Sequence, residues 1–143
     1  MNYWLVKTEP ETFGWNDLVS KGSSMWDGVR NFQARNNIKK MKKGDLLLFY
    51  HSGKSPGIVA LAEVSREHYP DPTATEGNWL VVDVVPVRPL ERFISLTEVK
   101  HTPALKDMVL VNSPRLSVQP VTKEEFDIIT ELEKKQELQP KLM

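Results

Sequence analysis

A compact mixed-sheet barrel decorated by short helices, of the α+β class, is the fold the sequence predicts. Two observations carry it. About five segments of strand length, apolar or alternating, lie far apart in the chain, with three or four short helices scattered between them. The strands do not alternate regularly with long helices, which argues against a doubly wound α/β sheet. With 143 residues the chain is most simply one domain, large enough to bury a core without staples.

The elements follow in order. Asn2–Lys7 (NYWLVK) is rich in aromatic and branched residues and reads as the first strand; of Trp4, Trp15 and Trp79, all assigned to core or rim, Trp4 is the one most expected to be buried. The polar, proline-marked Thr8–Glu11 ends it, and Gly14–Ser20 can make a short helix turn. Trp26-Asp27-Gly28 signals a turn, after which Asn31–Met41 reads as helix. Phe32, Ile38 and Met41 are expected to share a buried face beside Ala34, although the spacing fits imperfectly. Lysines at its end suit the helix dipole, and Gly44 is a good stop.

Leu46–Tyr50 is a continuous apolar strand, expected at the centre of the sheet. His51–Gly57 is a loop and Ile58–Ser65 a second strand, so Leu46–Ser65 reads as two strands joined by that loop. Tyr69–Asn78 is expected as a surface loop, and Trp79–Arg88 as a third long strand with Pro86 at an edge or bulge. Ser95–Glu98 and Thr122–Glu125 both fit the S/T-x-x-E capping box and open helices. In the second helix Phe126, Ile129 and either Leu132 or Ile128 should face inward. Ala104–Leu110 is ambiguous, and Leu116–Val121 is a strand candidate. The expected organisation is one domain over residues 1–133 and a polar tail over 134–143.

Composition excludes several functions. Zero formal net charge argues against a protein that coats nucleic acid by bulk electrostatics. No cysteine is present, and the histidines His51, His68 and His101 show no ligand spacing, so no metal or cofactor is implied. The N-terminus lacks a signal-peptide pattern and no apolar run could cross a membrane, so a soluble location is expected. The charge is uneven, however. Trp26–Asp45 holds six cations and two anions, a local +4, whereas Lys123–Met143 carries a local −2. A basic patch on a neutral chain suits a module that binds one site.

That patch, MWDGVRNFQARNNIKKMKKGD (Met25–Asp45), combines a flat apolar ring, directional amides and cations. A planar base attached to a phosphate backbone needs these three things to be held. Each residue also has a structural reading. Trp26 can be core or a stacking face. Asn31 can cap the helix or pair with a base edge, and Gln33 can simply cover the helix start. Arg30 can pair with Asp27, bind phosphate or stack on a base. The lysines Lys39, Lys40, Lys42 and Lys43 are a solvated helix end that adds at most a salt-sensitive phosphate attraction.

Longer strings carry a family resemblance. Tyr3-Trp4-Leu5-Val6-Lys7-Thr8-Glu9-Pro10 opens the chain, followed by Trp26-Asp27-Gly28-Val29-Arg30-Asn31 with Gln33-Ala34-Arg35-Asn36. Met41-Lys42-Lys43-Gly44-Asp45 runs into Phe49-Tyr50-His51-Ser52, and Tyr69-Pro70-Asp71-Pro72-Thr73 and Arg115-Leu116-Ser117-Val118-Gln119-Pro120 complete the order. The chain resembles EVE-domain proteins along nearly its whole length. The resemblance implies a PUA-like pseudobarrel, a fold shared with the YTH domains that read methylated adenine in RNA. It also implies a non-enzymatic reader of modified nucleobases, modified cytosine in DNA foremost, with an RNA base as the other candidate. A monomer is expected, nuclear in a eukaryote or cytoplasmic in a bacterium. Many relatives carry a longer insertion after YPDPT, where this chain has only Ala74–Asn78, so a more open groove or a different preference is expected.

On this reading the base-binding candidates are Trp26, Arg30, Asn31 and Gln33 on one wall. Tyr50, His51 and Ser52 stand opposite, with Lys7, Thr8 and Glu9 at the mouth and Arg115 and Ser117 from the family pattern. His51 is equally readable as a packing histidine, and Ser52 as a turn cap. The alternative is a small enzyme acting on a modified nucleoside or nucleic acid, with Lys7, Glu9, His51 and Ser52 as its only acid–base set. No nucleophile–base–orienter spacing is visible for it. A structural interaction domain is a third reading, favoured if Trp26 is fully buried and no groove exists.

Overall fold

The computed structural model describes residues 1–136. One six-stranded mixed sheet organises them: β1 (Tyr3–Thr8), β2 (Ser24–Met25), β3 (Leu46–His51), β4 (Gly57–Pro70), β5 (Leu80–Ser95) and β6 (Val118–Val121), in the order β2-β5-β4-β3-β1-β6. β1 runs parallel to β3, and every other pairing is antiparallel. The helices are α1 (Pro10–Phe13), α2 (Trp15–Lys21), α3 (Phe32–Lys40), α4 (Leu96–Lys100), α5 (Val109–Asn112) and α6 (Lys123–Leu132), with a 3-10 turn at Pro103–Leu105.

The sheet is covered on both faces, which explains the continuous apolar runs of its central strands. Trp4, Val6, Leu47 and Phe49 point into one core with Leu18, Ile38 and Met41. The alternate residues Leu5, Leu48 and Tyr50 point into a second core with Val99, Met108 and Phe126. The indole N–H of Trp4 donates to Asp45 at 3.0 Å, so the buried ring leaves no orphan donor. Asp45 also receives the backbone N–H groups of Asn2 and Lys42, a buried structural role for one of the two anions of the basic patch.

Helix α3 closes the barrel. It packs against β6 and β5, near opposite ends of the strand order. Asn37, buried on its inner face, donates to the carbonyl of Val118 in β6 at 2.7 Å.

Several boundaries differ from expectation. β4 runs to Pro70 instead of Ser65, because its outer portion pairs with the start of β5 as a ribbon (Arg66 with Asp83, Pro70 with Leu80); β5 runs to Ser95 instead of Arg88, because its far end pairs with the start of β4 (Ile58 with Ile94, Gly57 with Ser95). Tyr69 and Pro70 therefore belong to β4, and the loop begins at Asp71. The register shifts between Leu61 and Ala62, opposite Arg88 and Pro86, which puts Pro86 at a bulge as expected. Phe32 is the clearest correction: it is 65% exposed, while Ala34, Ile38 and Met41 are fully buried. At 3.6 residues per turn Phe32 lies about 200° from Ala34, on the opposite side of the helix. Both predicted caps form: Ser95 accepts from the N–H of Glu98, and Thr122 and Glu125 make the complete reciprocal box. Of the expected tail, residues from 137 onward lie outside the described part of the chain.

Candidate nucleic-acid interface

The parallel pairing of β1 with β3 aligns Lys7 with Tyr50 and Thr8 with His51. Two candidate segments far apart in the chain thus leave the sheet side by side. Ser52 donates both its backbone N–H and its hydroxyl to the carbonyl of Thr8, at 2.9 and 3.2 Å. A third candidate segment joins from the other side. Lys7 donates its backbone N–H to Ser117 O at 2.9 Å and its ammonium to Pro114 O at 2.6 Å. Its Nζ stands 5.4 Å from the centre of the buried Tyr50 ring, and burial lowers the lysine's pKa.

Two openings border the partners of that Lys7–Pro114 bond, one at Lys7 and one at Pro114. One, about 370 Å³, is bordered by Lys7, Thr8, Phe13, Met25, Trp26 and Asp27. The other, about 430 Å³, is shallower and bordered by Asn31, Gln33, Pro114 and Arg115. Trp26 is only 6% exposed, with Phe13 and Phe49 set edge-on to its ring at 6.2 and 5.5 Å. The expected free stacking face is therefore not presented; the ring belongs to the core and contributes to a cavity wall. Burial without a groove would have favoured a purely structural domain, but here an opening of about 370 Å³ lies beside the ring.

Asn31 does cap α3, accepting from the N–H of Ala34 at 2.9 Å. That bond uses its amide oxygen, and the amide NH₂ has no protein acceptor among the described residues. Gln33 and Arg115 are exposed and likewise unpartnered among the described residues.

Arg30 takes a different partner from the Asp27 of the ion-pair expectation. It pairs with Asp71 at 2.9 Å, not with Asp27, and also reaches the hydroxyl of Thr73 at 3.3 Å. The buried carboxylate of Asp71 further accepts from the N–H groups of Gly28 and Thr73 and from the Thr73 hydroxyl. Desolvation alone would raise the pKa of this carboxyl, but the bonds from Thr73, Arg30 and Gly28 outweigh it and hold it at about 2. Arg30 thus clamps the Trp26–Asn31 segment to the loop after β4.

His51 is a packing residue. Its Nε2 accepts from the backbone N–H of Trp15 at 3.1 Å, and burial lowers its pKa, both of which favour the neutral ring. With Glu9 and Ser52 it borders a separate opening of about 590 Å³, away from Trp26. Among Lys7, Glu9, His51 and Ser52, the acid–base set of the enzyme reading, none is hydrogen-bonded to another. The sequence reading missed Phe13, Met25 and the loop residue Asp71. Asp71 carried a signal of its own, as an acid in a proline-flanked turn (Pro70-Asp71-Pro72-Thr73).

A sheet closed by a helix, with grooves at the ends of a parallel β1–β3 pair, defines a PUA-like pseudobarrel with a candidate ligand groove at its mouth. The chain belongs to the EVE-domain family, whose model matches residues 2–132. Human thymocyte nuclear protein 1 is 41% identical to it, covering 94% of this chain and 75% of the human protein. That match spans 169 positions against 143 residues here, so the human relative holds residues this chain lacks. Among solved structures, a protein of Agrobacterium tumefaciens superposes with a TM-score of 0.90 at 43% identity, covering 93% of each chain. The crystal structure of human THYN1 protein in complex with DNA containing 5-methylcytosine superposes with a TM-score of 0.86 at 39% identity, covering 96% of this chain and 100% of that one.

Proposed function

We propose that this chain is a non-enzymatic reader of a modified nucleobase, modified cytosine in DNA, held in the groove formed by the Trp26 cavity and the Asn31–Arg115 opening. The observation that carries the reading is the likeness, over nearly the whole chain, to a human protein solved with DNA containing 5-methylcytosine. The groove has suitable chemistry. Each opening alone falls in the range of small-ligand sites. Trp26 and Phe13 supply apolar walls, while Asn31 and Gln33 supply directional amides. Lys7 and Arg115 supply cations for the flanking phosphates.

A base must leave its stack to enter such a groove, at a cost of a few kcal/mol that wall contacts and hydrogen bonds offset. On this reading residues 1–133 act as one reading domain and the protein works as a monomer. It acts in the nucleus of a eukaryote or the cytoplasm of a bacterium.

The test is titration of single-stranded and duplex oligonucleotides carrying cytosine or 5-methylcytosine, as DNA and as RNA. A preference of about 10- to 200-fold for the methylated DNA is expected, the range one methyl group commands in a fitted pocket. Lys7→Met should weaken methylated and unmethylated oligonucleotides alike, since a phosphate contact carries no base information. Indistinguishable binding of the methylated and unmethylated forms would sink the proposal.

A further inference from the structure

A second aromatic cluster lies outside the groove, on the far side of the Arg30–Asp71 clamp. Phe32, the first residue of α3, stacks on Trp79 with ring centres 5.1 Å apart and planes inclined by 22°. The guanidinium of Arg35 lies 5.1 Å from the Phe32 centre and 5.9 Å from that of Trp79. These three distances make a nearly equilateral triangle, so Arg35 sits beside the stack and not on its far side. The face of Phe32 turned away from Trp79 is left open, in keeping with its 65% exposure. Arg30 covers Trp79 at 5.7 Å.

Beside the stack opens a cavity of about 670 Å³ between α3 and the loop after β4, bordered by Arg35, Lys39, His68 and Trp79. Two carboxylates also border it, Asp71 and Glu76. Asp71 is committed to Arg30, Gly28 and Thr73, which leaves the cations in excess. An open aromatic face with cations at its edge is the arrangement that holds an unpaired base and its phosphate. Trp26 and Phe32 are six residues apart, so their Cα atoms are separated by at most about 22 Å. Flanking nucleotides of one short strand can span that distance.

We propose that the open face of Phe32 is a second stacking platform. It takes an unpaired base flanking the modified one on the same DNA strand, with Arg35 and Lys39 against the adjoining phosphate. This rests on the reader function proposed above.

The experiment uses the full chain and a short single-stranded DNA carrying one 5-methylcytosine, in which each flanking nucleotide is in turn made abasic. Phe32→Ala should lower affinity for the intact strand by about 5- to 150-fold, the range of one base–aromatic stack. Phe32→Tyr should retain it. At one flanking position, removing the base should abolish the difference between wild type and Phe32→Ala. If Phe32→Ala costs the same on every abasic strand as on the intact one, or costs nothing on the intact one, the platform is overturned. Loss of the preference for 5-methylcytosine over cytosine in the wild type would instead overturn the reader function. A surviving, base-dependent effect of Phe32 would then leave the platform as a stacking site without the reading.

Discussion

Trp26 and Phe32 are carried by one short segment and have opposite fates. Trp26 is almost wholly buried, wedged edge-on by Phe13 and Phe49, and forms part of a cavity wall. Phe32 is mostly exposed and supported only from one side by Trp79. Residue type does not separate them, since both are large aromatics in a polar, basic stretch. Their backing does. One ring faces a sheet that must be covered, and the other begins a helix whose buried face lies elsewhere. On the proposed function the buried ring would act on a ligand through the shape it gives a cavity. The exposed ring offers its own surface.

The contrast makes three predictions about stability. The largest concerns Trp26→Ala, which should destabilise the chain by about 3–5 kcal/mol, as truncation of a packed core aromatic does. Urea unfolding measures it, and a cost below about 1 kcal/mol would show that the ring is no part of the core. The next concerns the clamp between the two rings. The Asp71 carboxyl titrates at about 2 when folded, below the roughly 3.9 of an unfolded aspartate. Its stabilisation, about 2 kcal/mol, is thus fully present above about pH 4 and is lost as pH falls toward about 2. Asp71→Asn should be less stable than wild type near neutrality, and the gap should close on acidification; an unchanging gap would remove the charge from the explanation. The smallest effect is expected for Phe32→Ala, about 1 kcal/mol or less, because little but the Trp79 stack is lost. A cost as large as that of Trp26→Ala would erase the distinction between the two rings.

Legibility followed the range of the interactions. The caps at Ser95 and Thr122 are written within four residues, and both side chains cap their helices, with the reciprocal box complete at Thr122 alone. The apolar run of β3 announced a central strand, and it is one. The two-residue β2 has no signal of its own, because pairing with Asp83 and Val84 alone makes it a strand. Strings around Lys7, Tyr50 and Ser117 point to a common groove, but nothing local encodes the β1–β3 and Lys7–Ser117 pairings that bring these segments together. Trp26 was read for its chemistry, while its burial depends on Phe13 and Phe49 arriving from other elements. Asp27 is the acid within local reach of Arg30, whereas Asp71, the one it pairs with, lies 41 residues away. Phe32 could have been placed correctly from helical angle alone.

The position of β1 has a consequence for how the molecule comes into being. This first strand is flanked by β3 on one side and by β6, more than a hundred residues later, on the other. During synthesis it emerges before both of its neighbours, and its second edge stays bare until β6 has been made. Such long-range pairing is slow to form. The wall where Lys7 meets Pro114 and Ser117 is therefore among the last parts of the groove to be finished. A partly made chain can have its Trp26 and its basic helix and still lack the proposed groove, so on that proposal the capacity to bind would itself be a record of completed assembly.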